Sequence, residues 1–421
     1  MSTQKDNGGG CLLFALNLIF DIINNRRLKK HNKQARGLLV CESITTDTLF
    51  PPESYLENII VSGGESALRA KFCQQIISNC VSNGRPMIIL HLSNTILEDI
   101  ITQNNWGVVA SDGSKTFDAF TSFDLQEICQ IVFDIHKAKY DIKPAGRYIL
   151  QIVYELLTSQ KCRPYFVNYV NFPFNKITEK IDESLNSGFI TQDQANNLNS
   201  LLMMGQSEIA KIDSFFCDMK AQMNHISTFG VNQKGGTSII YALKKGKNLC
   251  IDLKSSANNM LVELVVNSLI IAMNRGFKFA LFIDDIAIAN NESLKNTLCQ
   301  KSNHNNIIFS KDLYALLNGK DDVFTTLVGE SEKTVLLSHG SNLSCEKWSK
   351  YIGEYEKIDV QQNTNAGWSQ SSRWGYNTNR GQAMIDKREY KVKPEQIKQL
   401  YPSEVFVYDN KTGKLMQTVI G

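Results

Sequence analysis

The chain carries ten cysteines in 421 residues, but no C-x-x-C pair and no cysteine–histidine cluster at zinc spacing. A zinc-built fold is therefore excluded, and scattered reduced thiols argue for a cytosolic protein rather than a disulfide framework. Net charge is also scarce: 45 Lys+Arg against 42 Asp+Glu leave +3. That is too little to demand a nucleic-acid partner on charge alone. No apolar run approaches the about 20 residues that a bilayer-spanning helix needs. No Ser-His-Asp or Cys-His arrangement is supported by spacing, so nucleophilic hydrolysis has no candidate triad. What is present is 43% hydrophobic and 21% charged residues. That is a globular composition, in a chain long enough for two or three domains.

The N-terminus is unusual. "CLLFALNLIFDII", Cys11 to Ile23, is interrupted only by Asn17 and Asp21, and Arg26, Arg27, Lys29, Lys30, Lys33 and Arg36 follow it. Lys5 is offset by Asp6 and no small-residue cleavage site follows, so a secretory signal is not expected. Two readings stay open. One is an interfacial helix whose basic flank meets an anionic leaflet. The other is a helix packed on the body of the protein or on a partner.

Along the chain, residues 37–62 read as short strands with a turn at Pro51-Pro52, and 63–82 as a helix with apolar residues at three- and four-residue steps. "PMIILHL" is a short buried strand, "TILEDIITQN" a helix and "GVVAS" another strand. This alternation is the pattern of a parallel sheet with crossover helices. From about residue 123 to 227 strand patterns nearly vanish and helical periodicity takes over. Strands resume at "KNLCIDL", "FKFALFIDD", "NNIIFS", "KTVLLSH" and "EVFVYD". The expected division is a terminal apolar and basic segment, 1–36, an α/β domain from 37–122 and 228–421, and an inserted all-α domain, 123–227. Residues 361–382, rich in Asn, Gln, Ser and Gly, read as an exposed or disordered loop. There Trp368, Trp374 and Tyr376, interleaved with Arg373 and Arg380, could stack on bases or on a partner peptide.

Two stretches could carry chemistry. "NIIVSGGESALRAKF" runs from a strand through Gly63 and Gly64 into a helix, as a phosphate-binding loop does. Against the pattern G-x-x-x-x-G-K-[ST], counted from Gly63, Leu68 replaces the second glycine, Arg69 the lysine and Ala70 the hydroxyl. A side chain at Leu68 intrudes where the backbone should approach phosphate. Ala70 cannot ligate Mg²⁺, and Arg69 is a fork rather than a point charge. The second stretch is "FALFIDD", a hydrophobic strand ending in two carboxylates. Asp284 is the candidate Mg²⁺ holder and Asp285 stands where a glutamate usually activates water. The plain alternative is that the two aspartates only open a loop or cap a helix. His91, at a strand end, reads as a core or loop histidine.

The order of these pieces resembles the coupling-protein ATPases of conjugation and type IV secretion, within the hexameric DNA-translocase group. "VSGGESALRAKF" matches the loop, "ALFIDDIAIA" the Walker B strand, "TFDAF" the segment before the helical insertion and "REYKVKPEQIKQLYPSEVFVY" the C-terminal tail. The resemblance spans about residues 55–421. It implies an α/β fold: a RecA-like P-loop NTPase core with a mainly parallel sheet and an inserted all-α domain. The departures cluster in the chemistry. The family's aspartate–proline–lysine–glycine motif reads His91-Leu92-Ser93-Asn94, the sensor glutamine falls near Lys311, and the Walker B glutamate is Asp285. Gly63, Gly64, Arg69 and Lys71 are then vestigial nucleotide-binding residues, Asp284 the metal position and Asp285 the catalytic one. The leading expectation is a pseudo-ATPase with no cofactor, a scaffold or substrate-recognition component of such a machine. It would associate with itself or with an active ATPase, and take protein or DNA through the all-α domain. It would be cytoplasmic, with residues 11–36 against the inner face of the cell membrane under the interfacial reading. The alternative is an active translocase using ATP and Mg²⁺, with Arg69 as the phosphate contact. A third is an unrelated α/β binding protein.

Overall fold

The structure is a computed structural model describing residues 8–110, 117–135, 137–223, 236–253, 260–286, 292–299, 303–366 and 378–421. Among the described residues there are twelve strands: β1 Leu38–Ile44, β2 Ile59–Ser62, β3 Met87–His91, β4 Val108–Ala110, β5 Leu249–Asp252, β6 Ala280–Asp284, β7 Asn305–Ser310, β8 Lys333–Leu336, β9 Glu354–Ala366, β10 Thr378–Tyr390, β11 Glu404–Asp409 and β12 Lys414–Ile420. The chain divides into two compact units, Ile44–Val335 with Gly421, and Met1–Ser43 with Leu336–Ile420.

The larger unit is built on a sheet of order β8-β2-β7-β6-β3-β5-β4. The pairs β2–β7, β7–β6, β6–β3, β3–β5 and β5–β4 are all parallel. Parallel strands covered by helices on both faces read as unbroken apolar runs. Ile59-Ile60-Val61, Met87 to Leu90 and Ala280 to Ile283 are buried accordingly. Helix Ser66–Ser82 follows β2 and buries Ala70, Phe72, Cys73, Ile76, Ile77 and Cys80. Between β1 and β2 the expected strands are replaced by a short helix, Thr46–Leu49, and a 3-10 turn, Pro52–Leu56. Pro51, at the turn's N-cap, has no N–H to give a sheet.

Between β4 and β5 every regular element among the described residues is helical: Leu125–Asp134, Lys137–Tyr140, Gly146–Ser159, Phe166–Val170, Ile177–Asn186, Gln192–Gly205 and Ile209–Met223 with short 3-10 turns, then Ile239–Lys244. Asp124 with Glu127, and Thr191 with Gln194, form reciprocal capping boxes that start two of these helices. The core is aromatic. Phe120 meets Phe166 and Tyr169 edge-on, and Phe174 stacks on Phe216. At its root one buried oxygen, Oδ1 of Asp118, accepts from the N–H groups of Phe120, Thr121 and Phe166 and from the Thr121 hydroxyl. The Asp118 N–H donates to Thr237 O and Ser238 Oγ donates to Thr121 O, tying the ingoing chain to the outgoing one.

The smaller unit holds the neighbours β1-β12-β11, with β11 and β12 an antiparallel hairpin, and a separate two-stranded ribbon of β9 and β10. The ribbon overturns the expected loop at 361–366 and 378–382, while 367–377 lie outside the described residues. Its strands pair without a break from Glu354↔Tyr390 to Ala366↔Thr378. Asn- and Gln-rich sequence has no apolar alternation to read, yet backbone ladders form without it. Trp368, Arg373, Trp374 and Tyr376 lie outside the described residues, and Arg380 stands opposite Thr364 in the ribbon. The N-terminal apolar and basic stretches form one continuous helix, Gly8–Arg36. Among the described residues no helix is long and apolar enough to cross a membrane.

Candidate functional site

The C-terminal ends of β2, β7 and β6 lie side by side, which brings Gly63, Gly64, Arg69 and Asp285 together across the sequence. Gly63 and Gly64 have positive φ, 96° and 66°, a path that side chains rarely follow. The Gly63 N–H donates to Ser310 O at 2.9 Å and so is spent on the neighbouring strand. Its carbonyl and that of Gly64 turn inward to the Arg69 guanidinium, accepting from Nη1 at 3.2 and 2.7 Å. Nη2 of Arg69 donates to Asp285 Oδ2 at 2.8 Å, with the arginine side chain 6% and the aspartate 31% exposed. Oδ1 of Asp285 accepts the Lys311 N–H at 2.6 Å. Asp285 has φ 52°, a left-handed backbone that among non-glycine residues suits Asp and Asn.

A phosphate cradle presents converging N–H donors to an anion. Here the loop presents converging carbonyl oxygens to a cation, and that cation is one of the chain's own side chains. Lys71 does not join the group. It is exposed, and its Nζ donates to Gly421 O at 3.0 Å.

Asp284, one residue before Asp285, faces another way. It is buried, and its Oδ2 accepts from Asn94 Nδ2 at 2.5 Å. Burial pushes its carboxyl above the usual range, against the stabilising Asn94 bond. Sequence reading missed the surrounding grip on the loop after β3. The register sets Asp252, His91 and Asp284 abreast on β5, β3 and β6. Asp252 Oδ1 accepts the Ser93 N–H, and His91 Nδ1 accepts the Asn94 N–H. His91 Nε2 lies 3.4 Å from Glu98 Oε1, so His91 is a core histidine that shapes a turn. The only hint in sequence was that His91-Leu92-Ser93-Asn94 ends a strand as Asp284 does.

The residues fit Mg²⁺–nucleotide poorly. Magnesium asks for a near-octahedral oxygen set, usually including phosphate oxygens and waters. Ala70 has no oxygen to give, Asp284 is bound to Asn94, and Arg69 adds a positive charge nearby. No group of His, Cys, Asp or Glu able to hold a metal ion occurs among the described residues.

The fold is that of a RecA-like P-loop NTPase with a helical domain. No protein-family model matches the chain, and no curated protein matches it by sequence. Among solved structures it is similar to the bacterial conjugative coupling protein TrwBdeltaN70 in its unbound form. The TM-score is 0.54 at 14% identity, covering 90% of this chain and 88% of that one. TrwB in complex with ADP and Mg²⁺ gives 0.53 at 14% identity, covering 90% and 89%. TrwB with the non-hydrolysable ATP analogue ADPNP gives 0.52 at 14%, again over 90% and 89%.

Proposed function

We propose that the chain is a coupling-protein-like pseudo-ATPase, a scaffold or substrate-recognition component of a conjugation or type IV secretion-like machine. The observation that carries this is the Arg69 guanidinium, lodged in the Gly63–Gly64 turn and paired with Asp285. The layout of a nucleotide-handling fold is kept while the polarity of its phosphate loop is reversed. On this reading 37–122 and 228–421 form the NTPase-type domain, and the helical insertion, 123–227, receives a protein or DNA substrate. Self-association, or a mixed assembly with an active ATPase, supplies the partner. The N-terminal helix supports a position at the inner face of a membrane, since Ile22, Ile23, Arg26, Arg27, Lys29, Lys30 and Lys33 are all exposed. Calorimetric titration with ATP–Mg²⁺ tests the central point. We expect no binding heat at micromolar to millimolar nucleotide and no phosphate release above the blank. Micromolar binding with turnover would sink the proposal.

A second reading has one observation in its favour: a cation does stand at the loop, in Arg69. In an active translocase that arginine would leave Asp285 and meet a phosphate. ATP turnover abolished by Arg69→Ala would establish it.

A further inference from the structure

β1 is an outer strand: among the described residues its one sheet neighbour is β12. Outer strands leave a row of N–H and C=O groups open to another chain, and proteins commonly guard them with lysine, proline or short length. β4, the outer strand of the larger unit's sheet, is guarded by length. It has three residues, each half-buried or buried. β1 has seven, "LLVCESI", with no proline, no lysine and one charge, Glu42. Leu39 is 57% exposed and Val40 69%. Successive side chains of a strand point to opposite faces, so both faces are open at this point. Glu42 and Ser43 are exposed as well.

One bond fixes which backbone groups are open. Gly421, next after β12, donates its N–H to Ile44 O at 3.0 Å. Along a strand the backbone groups of alternate residues turn to opposite sides. Ile44, Glu42 and Val40 therefore turn toward β12, and Leu39, Cys41 and Ser43 turn outward.

We propose that β1 is a dimerisation edge, which pairs antiparallel with β1 of a second copy of the chain about a two-fold axis through Cys41. The occupant follows from the strand itself. Cys41 is the midpoint of Leu38–Ile44. Full overlap therefore sets Leu39 opposite Ser43 of the second copy, Val40 opposite Glu42, and Cys41 opposite Cys41. Each of the three outward residues then meets an outward residue, as hydrogen-bonded antiparallel pairs require. Any other register leaves at least one of the three without a strand residue opposite. The lone charge meets no like charge, because Glu42 faces Val40. A parallel pair would instead bring Glu42 near Glu42, which is unfavourable. Antiparallel alignment also directs the acidic end of each strand toward the end that the other copy's basic helix enters, where Lys29, Lys30 and Lys33 are exposed. The pairing gives the self-association in the proposed function a surface, and it is independent of the nucleotide site.

The test is sedimentation velocity of the full chain over a concentration series. We expect a species of twice the monomer mass that grows with concentration. Cys41 is a free, half-buried thiol on an edge that tolerates charge. Cys41→Lys and Cys41→Glu each place two like charges on the axis, so each alone should stay monomeric. An equimolar mixture of the two should regain the doubled mass. Residue-resolved hydrogen exchange of the parent needs no variant. The amides of Leu39, Cys41 and Ser43 should slow as concentration rises, while those of Val40 and Glu42 should not change. Monomer mass for the parent at every concentration would overturn the proposal. So would a doubled mass that persists in Cys41→Lys alone, which would put self-association on another surface. A mixture that stays monomeric, or exchange at the three outward amides that ignores concentration, would overturn it too.

Discussion

Asp284 and Asp285 are neighbours with opposite lives. The first is turned into the protein and held by Asn94; the second takes a left-handed backbone and grips Arg69. Sequence could place the pair at the end of β6, because the apolar run Ala280 to Ile283 is unmistakable. It could not show which carboxylate faced which partner, since Arg69 and Asp285 lie 216 residues apart. The ion pair is partly buried, so losing one partner leaves a charge short of compensation, discounted for the exposure of Asp285. We expect Arg69→Ala to cost about 2 kcal/mol in urea unfolding. Arg69→Lys should recover less than half, because a single ammonium cannot reach two carbonyls and a carboxylate with the same fork. Full recovery by lysine would contradict the assigned geometry.

His304 supplies a pH test at the same scale. It is buried and stacked on Phe279, and burial pulls its pKa down to about 4. The folded state then binds fewer protons than the unfolded one between about pH 6.5 and 4, so stability is present above that window and lost as pH falls through it. We expect His304→Gln to flatten the acid-side slope by up to about 1.4 kcal/mol per pH unit. An unchanged slope in melts from pH 7 to 4 would refute the assignment.

At the scale of elements, the buried carboxylate of Asp118 organises the root of the helical region. Asp118→Ala strands the N–H groups of Phe120, Thr121 and Phe166, and each unsatisfied buried donor costs about 1–3 kcal/mol. We expect a loss of at least about 3 kcal/mol for alanine and a much smaller one for asparagine, which keeps an oxygen in place. Equal losses in chemical denaturation would show that the donors find other acceptors. The sheet strands and the helices between β4 and β5 were legible in the sequence because apolar periodicity writes them directly. The ribbon was not, because Gln, Asn and Thr at alternating positions carry no record of which face is buried.

At the scale of the whole molecule, the fold is matched over nine-tenths of the chain by a solved coupling protein at 14% identity. The fold is therefore shared at an identity where few individual side chains are. The exposed cations of the N-terminal helix give a further prediction, since a basic residue near an anionic surface contributes about 1 kcal/mol. The full chain should sediment with phosphatidylglycerol vesicles at low salt and be released at high salt. Replacing Arg26, Arg27, Lys29, Lys30 and Lys33 with glutamine should weaken binding more than tenfold. Equal binding to neutral vesicles would argue against an electrostatic role.

The Gly63 N–H bonded to Ser310 bears on what substitution at this turn can achieve. Leu68→Gly, Arg69→Lys and Ala70→Thr together would supply the letters of a phosphate loop, but would not free the Gly63 N–H. The loop would still have to release Ser310 and turn its carbonyls outward, while Asp285 lost the arginine it now holds. We expect each of these substitutions to lower stability where it removes a contact that Arg69 now makes. The turn is thus held from three sides at once, by a neighbouring strand, by its own arginine and by that arginine's carboxylate, and no single substitution frees it.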